Sequence, residues 1–153
     1  MSFNIKDAVN AFLAFGFNDG DLISHDWLGY NLEINSKALR QDPFLALKRV
    51  EDFKAVLLKE FNIALQNVRG KGYRIVPPSE QAQYAAEEAA RYITKGLLKA
   101  SDLLDNTRID SLTDQERRRH TDTSVRMAAL SGMVSRGKRD VFALFGPEER
   151  VSP

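Results

Sequence analysis

The chain contains no cysteine, so disulfides, thiolate nucleophiles and thiolate-ligated zinc or iron–sulfur centres are excluded. Histidine is almost as scarce, with His25 and His120 the only two. Each has a carboxylate close in sequence, Asp26 and Asp122. Residues at i+1 or i+2 on a helix point in different directions, and neither place offers the three ligands of a catalytic zinc. No run approaches the roughly 18 apolar residues of a membrane span. The opening MSFNIKDAVN lacks the basic segment and apolar stretch of an export signal, so a cytoplasmic location without membrane contact is expected. There is no excess of either charge: 22 basic against 21 acidic side chains leave +1. The whole-chain charge therefore makes no case for a polyanionic partner. Internal repeats and low-complexity segments are lacking as well. Gly70 and Gly72 are not a phosphate loop, because no Gly-Lys-Ser/Thr and no helix follows them. With carboxylate pairs such as Glu87/Glu88 set on a polar helix face, the expectation is a non-enzyme with no catalytic residues, no metal and no cofactor.

What is present is a local pattern. Residues 41–78 hold seven basic and four acidic side chains, while the segments on either side are net acidic. A first helix is expected over 4–15, with Ile5, Val9, Phe12 and Leu13 on one stripe. Ser24 caps a second, from His25 to about Ile34, which buries Trp27, Leu28 and Leu32. The stretch 35–42 reads as polar and irregular. Asp42-Pro43 then starts a third helix running to about Phe61. Its inner face is expected to use Phe44, Leu47, Val50, Phe53, Leu57 and Phe61, and its outer face Lys48, Glu51, Asp52, Lys54 and Lys59.

Residues 63–68 and 73–76 alternate with period two around Arg69-Gly70-Lys71-Gly72, which predicts a β-hairpin closed by Pro77-Pro78. A fourth helix is expected from Ser79 to about Leu104, with a stripe of Ala85, Ala89, Tyr92, Ile93, Leu97, Ala100 and Leu104. Thr113 and Glu116 have capping-box spacing and open a fifth helix. That helix begins with Arg117-Arg118-Arg119-His120, turns apolar from Val125, and is expected to stop at Gly137. The fold class is α/β in the broad sense, α+β and mostly helical. Three regions are expected: a winged-helix-like domain over 1–78, a helical extension or dimerisation hairpin over 79–136, and a short docked turn with a loose tail over 137–153.

The segment Asn67-Val68-Arg69-Gly70-Lys71-Gly72-Tyr73-Arg74-Ile75, preceded by an amphipathic helix, resembles the end of the winged-helix effector domain of OmpR-like bacterial response regulators. That domain closes with a strand, an Arg-Gly-x-Gly-Tyr-Arg turn and a final strand. Here Arg69, Gly70, Gly72, Tyr73 and Arg74 stand in the turn, and the match covers residues 44–76. The resemblance implies a recognition helix over 44–61 and a wing around Gly70, Gly72 and Tyr73, both meeting duplex DNA. Arg69, Lys71 and Arg74 of the wing, and Lys48, Arg49, Lys54 and Lys59 of the helix, are the candidate contacts. The family's dense Arg/Lys series is replaced here by the largely apolar Lys54-Ala-Val-Leu-Leu-Lys59. Arg117, Arg118 and Arg119 form a possible second basic site. Cations beside a helix N-terminus are disfavoured by its dipole, so they call for an anionic neighbour, which Asp114 and Glu116 also offer.

The first functional expectation is a small DNA-binding transcriptional regulator, a homodimer through residues 79–136. The alternatives are a protein-interaction module, such as a phage or bacterial inhibitor or adaptor that keeps a winged-helix-like core, and a small structural or virion component.

Overall fold

The structure is a computed structural model, and it describes residues 2–145. The expected class is observed: six α-helices and a small antiparallel sheet. Two compact units divide between Gln81 and Ala82.

The first unit begins with α1 (Ile5–Phe15), capped by the Asn4 side chain and ended by Gly16 in the left-handed region. Next come β1 (Leu22–Ser24), α2 (His25–Asn31) and α3 (Ser36–Gln41). They are followed by α4 (Leu45–Phe61), β2 (Leu65–Val68) and β3 (Gly72–Ile75). The strand order is β1-β3-β2, all antiparallel. The expected hairpin is therefore two strands of a three-stranded sheet. The third was not foreseen, because it is only three residues long with a single inward side chain, Ile23. Partners directly across the ladder share a face, so Ile23, Tyr73, Ile75 and Leu65 line one side. That side closes on Val9 and Phe12 of α1, Leu28 of α2, and Phe53 and Leu57 of α4. Phe12 organises the aromatic part, with its ring edge-on to Phe53 at 6.0 Å and stacked on Phe17 at 5.1 Å.

Several local expectations need correction. Residues 36–41 are helical, with Asn35 as cap, where an irregular stretch was expected. Asp42 does accept a backbone hydrogen bond, from Phe44 N at 3.0 Å, but α4 starts only at Leu45. Phe44 precedes the helix, and Leu47, six residues before Phe53, has turned about 120° off its face; they are exposed at 74% and 64% instead of on the inner face, and Phe61 is also exposed. Only Phe53 and Leu57 of the expected stripe are fully buried.

The second unit is a helical hairpin. α5 (Pro78–Asp105) and α6 (Asp114–Ala143) are joined through a 3-10 turn at Ile109–Ser111. The capping box is present: Glu116 N donates to Thr113 Oγ1 at 3.2 Å, and Thr113 N to Glu116 Oε2 at 2.9 Å. At the closed end, His120 Nε2–H donates to Leu104 O at 2.9 Å. Toward the open end, Lys138 Nζ donates to Thr94 Oγ1 at 3.1 Å. The helix does not stop at Gly137, and residues 137–143 are not a separate docked turn. Val141 and Phe142 carry on the helical face of Val134 and Lys138, which outweighs the roughly 1 kcal/mol helix cost of a glycine. The expected loose tail, beyond Phe145, lies outside the described residues. Within α5 only Ala90 is fully buried; Ala85, Ala89, Tyr92 and Ile93, expected in the packed stripe, are exposed.

Candidate nucleic-acid interface

The hairpin is fixed to its unit by a close backbone approach. Gly72 has φ +146°, and a Cβ there would collide with the Ile23 carbonyl and lie 3.1 Å from Ser24 Cα. Only glycine lets β3 pair with β1 at Ser24↔Gly72, so its role is packing as well as turning. Gly70, at φ +76°, makes the reversal, and Lys71 N donates to Val68 O at 3.0 Å. The other margin is tied down where Ile75 N donates to Asp21 O and Gly20 N to Ile75 O, each at 2.9 Å.

The seven candidate contacts divide into two groups. Arg74 reaches away from the core face and pairs with Glu80, Nη2 to Oε2 at 2.7 Å. Lys54 sits 3.3 Å from Glu51 Oε1 and 5.3 Å over the Tyr73 ring. Arg49 is occupied inside the unit: its Nη1 donates to the carbonyls of Leu32 and Glu33, both at 2.9 Å, and its guanidinium lies 4.1 Å above the Phe3 ring. It supplies a donor to two backbone carbonyls just past the end of α2. These three charges are already engaged within the unit.

Arg69, Lys71, Lys48 and Lys59 are exposed and form no ion pair among the described residues. Arg69 and Lys71 flank Gly70 at the hairpin tip. Lys48 and Lys59 are eleven residues apart on one flank of α4, about 16 Å along its axis. Asp52 stands between them on that flank, with Glu51, Leu47 and Leu58 on the part nearer the hairpin. The exposed side of α4 is thus mixed in charge and partly apolar, and the tip is the purely cationic element.

In the second basic site, Arg117 Nε donates to Ile109 O at 3.2 Å and so braces the 3-10 turn. Arg118 and Arg119 are exposed. His25 lies exposed at the start of α2. Among the described residues no three His, Asp or Glu side chains gather in a metal-binding arrangement. No described helix is long and apolar enough to cross a membrane.

The sequence pattern picked out the hairpin tip. It missed the pairing of Gly72 with β1 and the occupation of Arg49, because both depend on residues far away in the chain. No protein-family model, curated protein or solved structure matches the chain.

Proposed function

We propose that the protein is a small non-enzymatic DNA-binding regulator of winged-helix-like build. In this reading the hairpin around Gly70 is a wing, it grips the phosphate backbone, and the chain acts as a dimer through its helical hairpin. The observation that carries the reading is the pair Arg69 and Lys71, exposed and unpaired at the tip of a hairpin whose base is immobilised by Gly72 and by the Arg74–Glu80 bridge. A rigid base holds both cations out toward solvent, which lowers the ordering cost of meeting a phosphate. Order and strand sequence support the same reading: a helix, a strand, three helices and a hairpin, with the last strand central in the sheet. The resemblance of the turn at Arg69, Gly70, Gly72, Tyr73 and Arg74 to that of the OmpR-like effector domains points the same way.

The composition of α4 sets the kind of binding. With Arg49 and Lys54 engaged and Glu51 and Asp52 exposed, this helix offers few donors to base edges, and phosphate contacts alone position without specifying. The protein binds duplexes of different sequence with similar affinity. With two to four phosphates neutralised per chain, the slope of log affinity against log salt is about −2 to −4 per chain. Changing both Arg69 and Lys71 to alanine shallows it by about two units, while Arg49→Ala leaves it unchanged in whatever fraction stays folded. Anisotropy titration of labelled duplexes across salt measures all three; a chain that ignores every duplex at low salt overturns the reading.

One observation favours a second reading. Phe44 and Leu47 stand exposed beside Glu51 on α4, a face better suited to a partner protein than to DNA. An inhibitor or adaptor built this way keeps its target when Arg69 and Lys71 are removed, and loses it when Phe44 and Leu47 become serine.

A further inference from the structure

The helical hairpin carries two apolar stripes on α5 where one would serve to pack it on α6. Ala86, Ala90, Leu97, Ala100 and Leu104 are buried or half-buried and form the stripe facing α6. One residue earlier at each step, Ala85, Ala89, Tyr92, Gly96, Lys99 and Leu103 repeat with spacing 4-3-4-3-4, and all six are exposed. Tyr92 is 67% and Leu103 68% exposed. A 4-3 repeat is the spacing of a helix seam that meets another helix.

On α6 the exposed residues Leu130, Gly137 and Val141 repeat at i, i+7 and i+11. In an antiparallel pair they fall on the same side as the exposed α5 stripe. A groove lies there: it holds about 350 Å³, with Ala86, Ala89 and Ile93 on one wall and Val134, Gly137, Lys138 and Val141 on the other. The opposite side differs in chemistry. Its groove is lined by Glu87, Arg91 and Lys95 together with Ala90, Leu98 and Phe142, whereas the exposed α5 stripe holds one charge, Lys99. The two sides of this two-helix layer therefore differ most along α5, where the exposed stripe is nearly free of charge, and two helices cannot close a core by themselves.

We infer that the side bearing this stripe is covered by the same side of a second copy of the chain. In that pair the α5 helices run antiparallel and cross at Gly96, and each Leu103 seats in the partner's groove beside Ala89 and Gly137. Three features of the layer point to self-pairing. Leu103 lies seven residues beyond Gly96 and Ala89 seven before it, about 10 Å each way, so a two-fold axis at Gly96 sets the large side chain against the small-walled groove. Gly96 meets nothing within 4 Å at its Cβ position, and at the crossing point it lets the two backbones approach closely. With the axis at Gly96 the paired α5 segments run over residues 87–105, about 28 Å, and the layer is about 20 Å wide, so roughly 560 Å² per chain is covered, just above the total of about 1,000 Å² that a specific interface clears. Lys99, three residues beyond the axis, falls near the partner's Tyr92, four residues before it, where its stem lies on apolar surface and its ammonium near a ring face.

The inference rests on the dimeric reading proposed above but not on DNA binding. The native absence of cysteine makes single-cysteine probes clean. The full chain carrying Gly96→Cys is expected to form an intermolecular disulfide rapidly under mild oxidation, since the crossing brings the two positions within bridging distance. Lys95→Cys, on the opposite side, is expected to stay reduced. By sedimentation equilibrium the native chain has twice its 17.3 kDa mass. Leu103→Asp raises the dissociation constant at least about a hundredfold, because the contact is lost twice, and Leu98→Asp on the other side does not. A monomer at every concentration overturns both the dimeric reading and this interface. A dimer that tolerates Leu103→Asp and cross-links through Lys95→Cys overturns the interface alone.

Discussion

The two units bury their apolar side chains very differently. Among the described residues, twelve of the thirteen fully buried apolar ones belong to the first unit and Ala90 alone to the second, although the second holds the two longest helices. Three layers of contact in the first unit — sheet, α1 and α4 — converge on Phe12, Phe53 and Leu57, which leave water without an outside partner. The hairpin has good caps and continuous stripes but only one neighbour per helix. Helix length and capping fix the shape of a segment, and only a second layer gives it a core.

The sharpest way to break this contrast is to remove a core side chain from the first unit. Phe53→Ala is expected to cost about 3–5 kcal/mol and to unfold that unit first, seen as loss of near-ultraviolet circular dichroism from Trp27, which lies 6.1 Å from Phe53. Gly72→Ala follows, on the order of 3 kcal/mol, because the new methyl group meets the β1 backbone at a positive φ; a denaturant midpoint unchanged from wild type would refute the packing role assigned to this glycine.

These two residues also show how much was legible in the sequence. The alternation around Gly70 located the hairpin, and the capping box located α6, because both signals are contained within a few residues. The β1 strand has no such signal: Asp21-Leu-Ile-Ser24 becomes a strand only because Gly72, about fifty residues later, leaves room for it. The same limit applies to the candidate site. Arg69 and Lys71 could be read as free tip charges, whereas the use of Arg49 depends on the carbonyls of Leu32 and Glu33. The stripe of α4 was misjudged at Phe44 because the proline start signal placed the helix two residues early, and at Leu47 because successive three-residue steps drift off the buried face. The doubled stripe of α5 was read as a single broad face for the same kind of reason, since spacing does not say how many neighbours a helix has.

Arg49→Ala is expected to cost about 1–2 kcal/mol, since it takes a donor from two carbonyls and uncovers the Phe3 ring. Chemical denaturation measures it, and a loss below a few tenths of a kcal/mol would return Arg49 to the surface charges available to DNA. Thr113→Ala, which removes one half of the capping box, is expected to cost about 1 kcal/mol in the hairpin and nothing in the first unit. Smallest of all, Arg69→Ala and Lys71→Ala are expected to shift stability by less than about 0.5 kcal/mol while reducing duplex affinity, which separates a contact residue from a structural one.

Amide hydrogen exchange at two protein concentrations, well below and well above the dimer dissociation constant, tests the contrast between the units most directly. The account predicts that protection in α1, α4 and the sheet is the same at both concentrations, and that protection along α5 and α6 rises with concentration. Protection of the hairpin that is as strong as that of α4 and independent of concentration would contradict it.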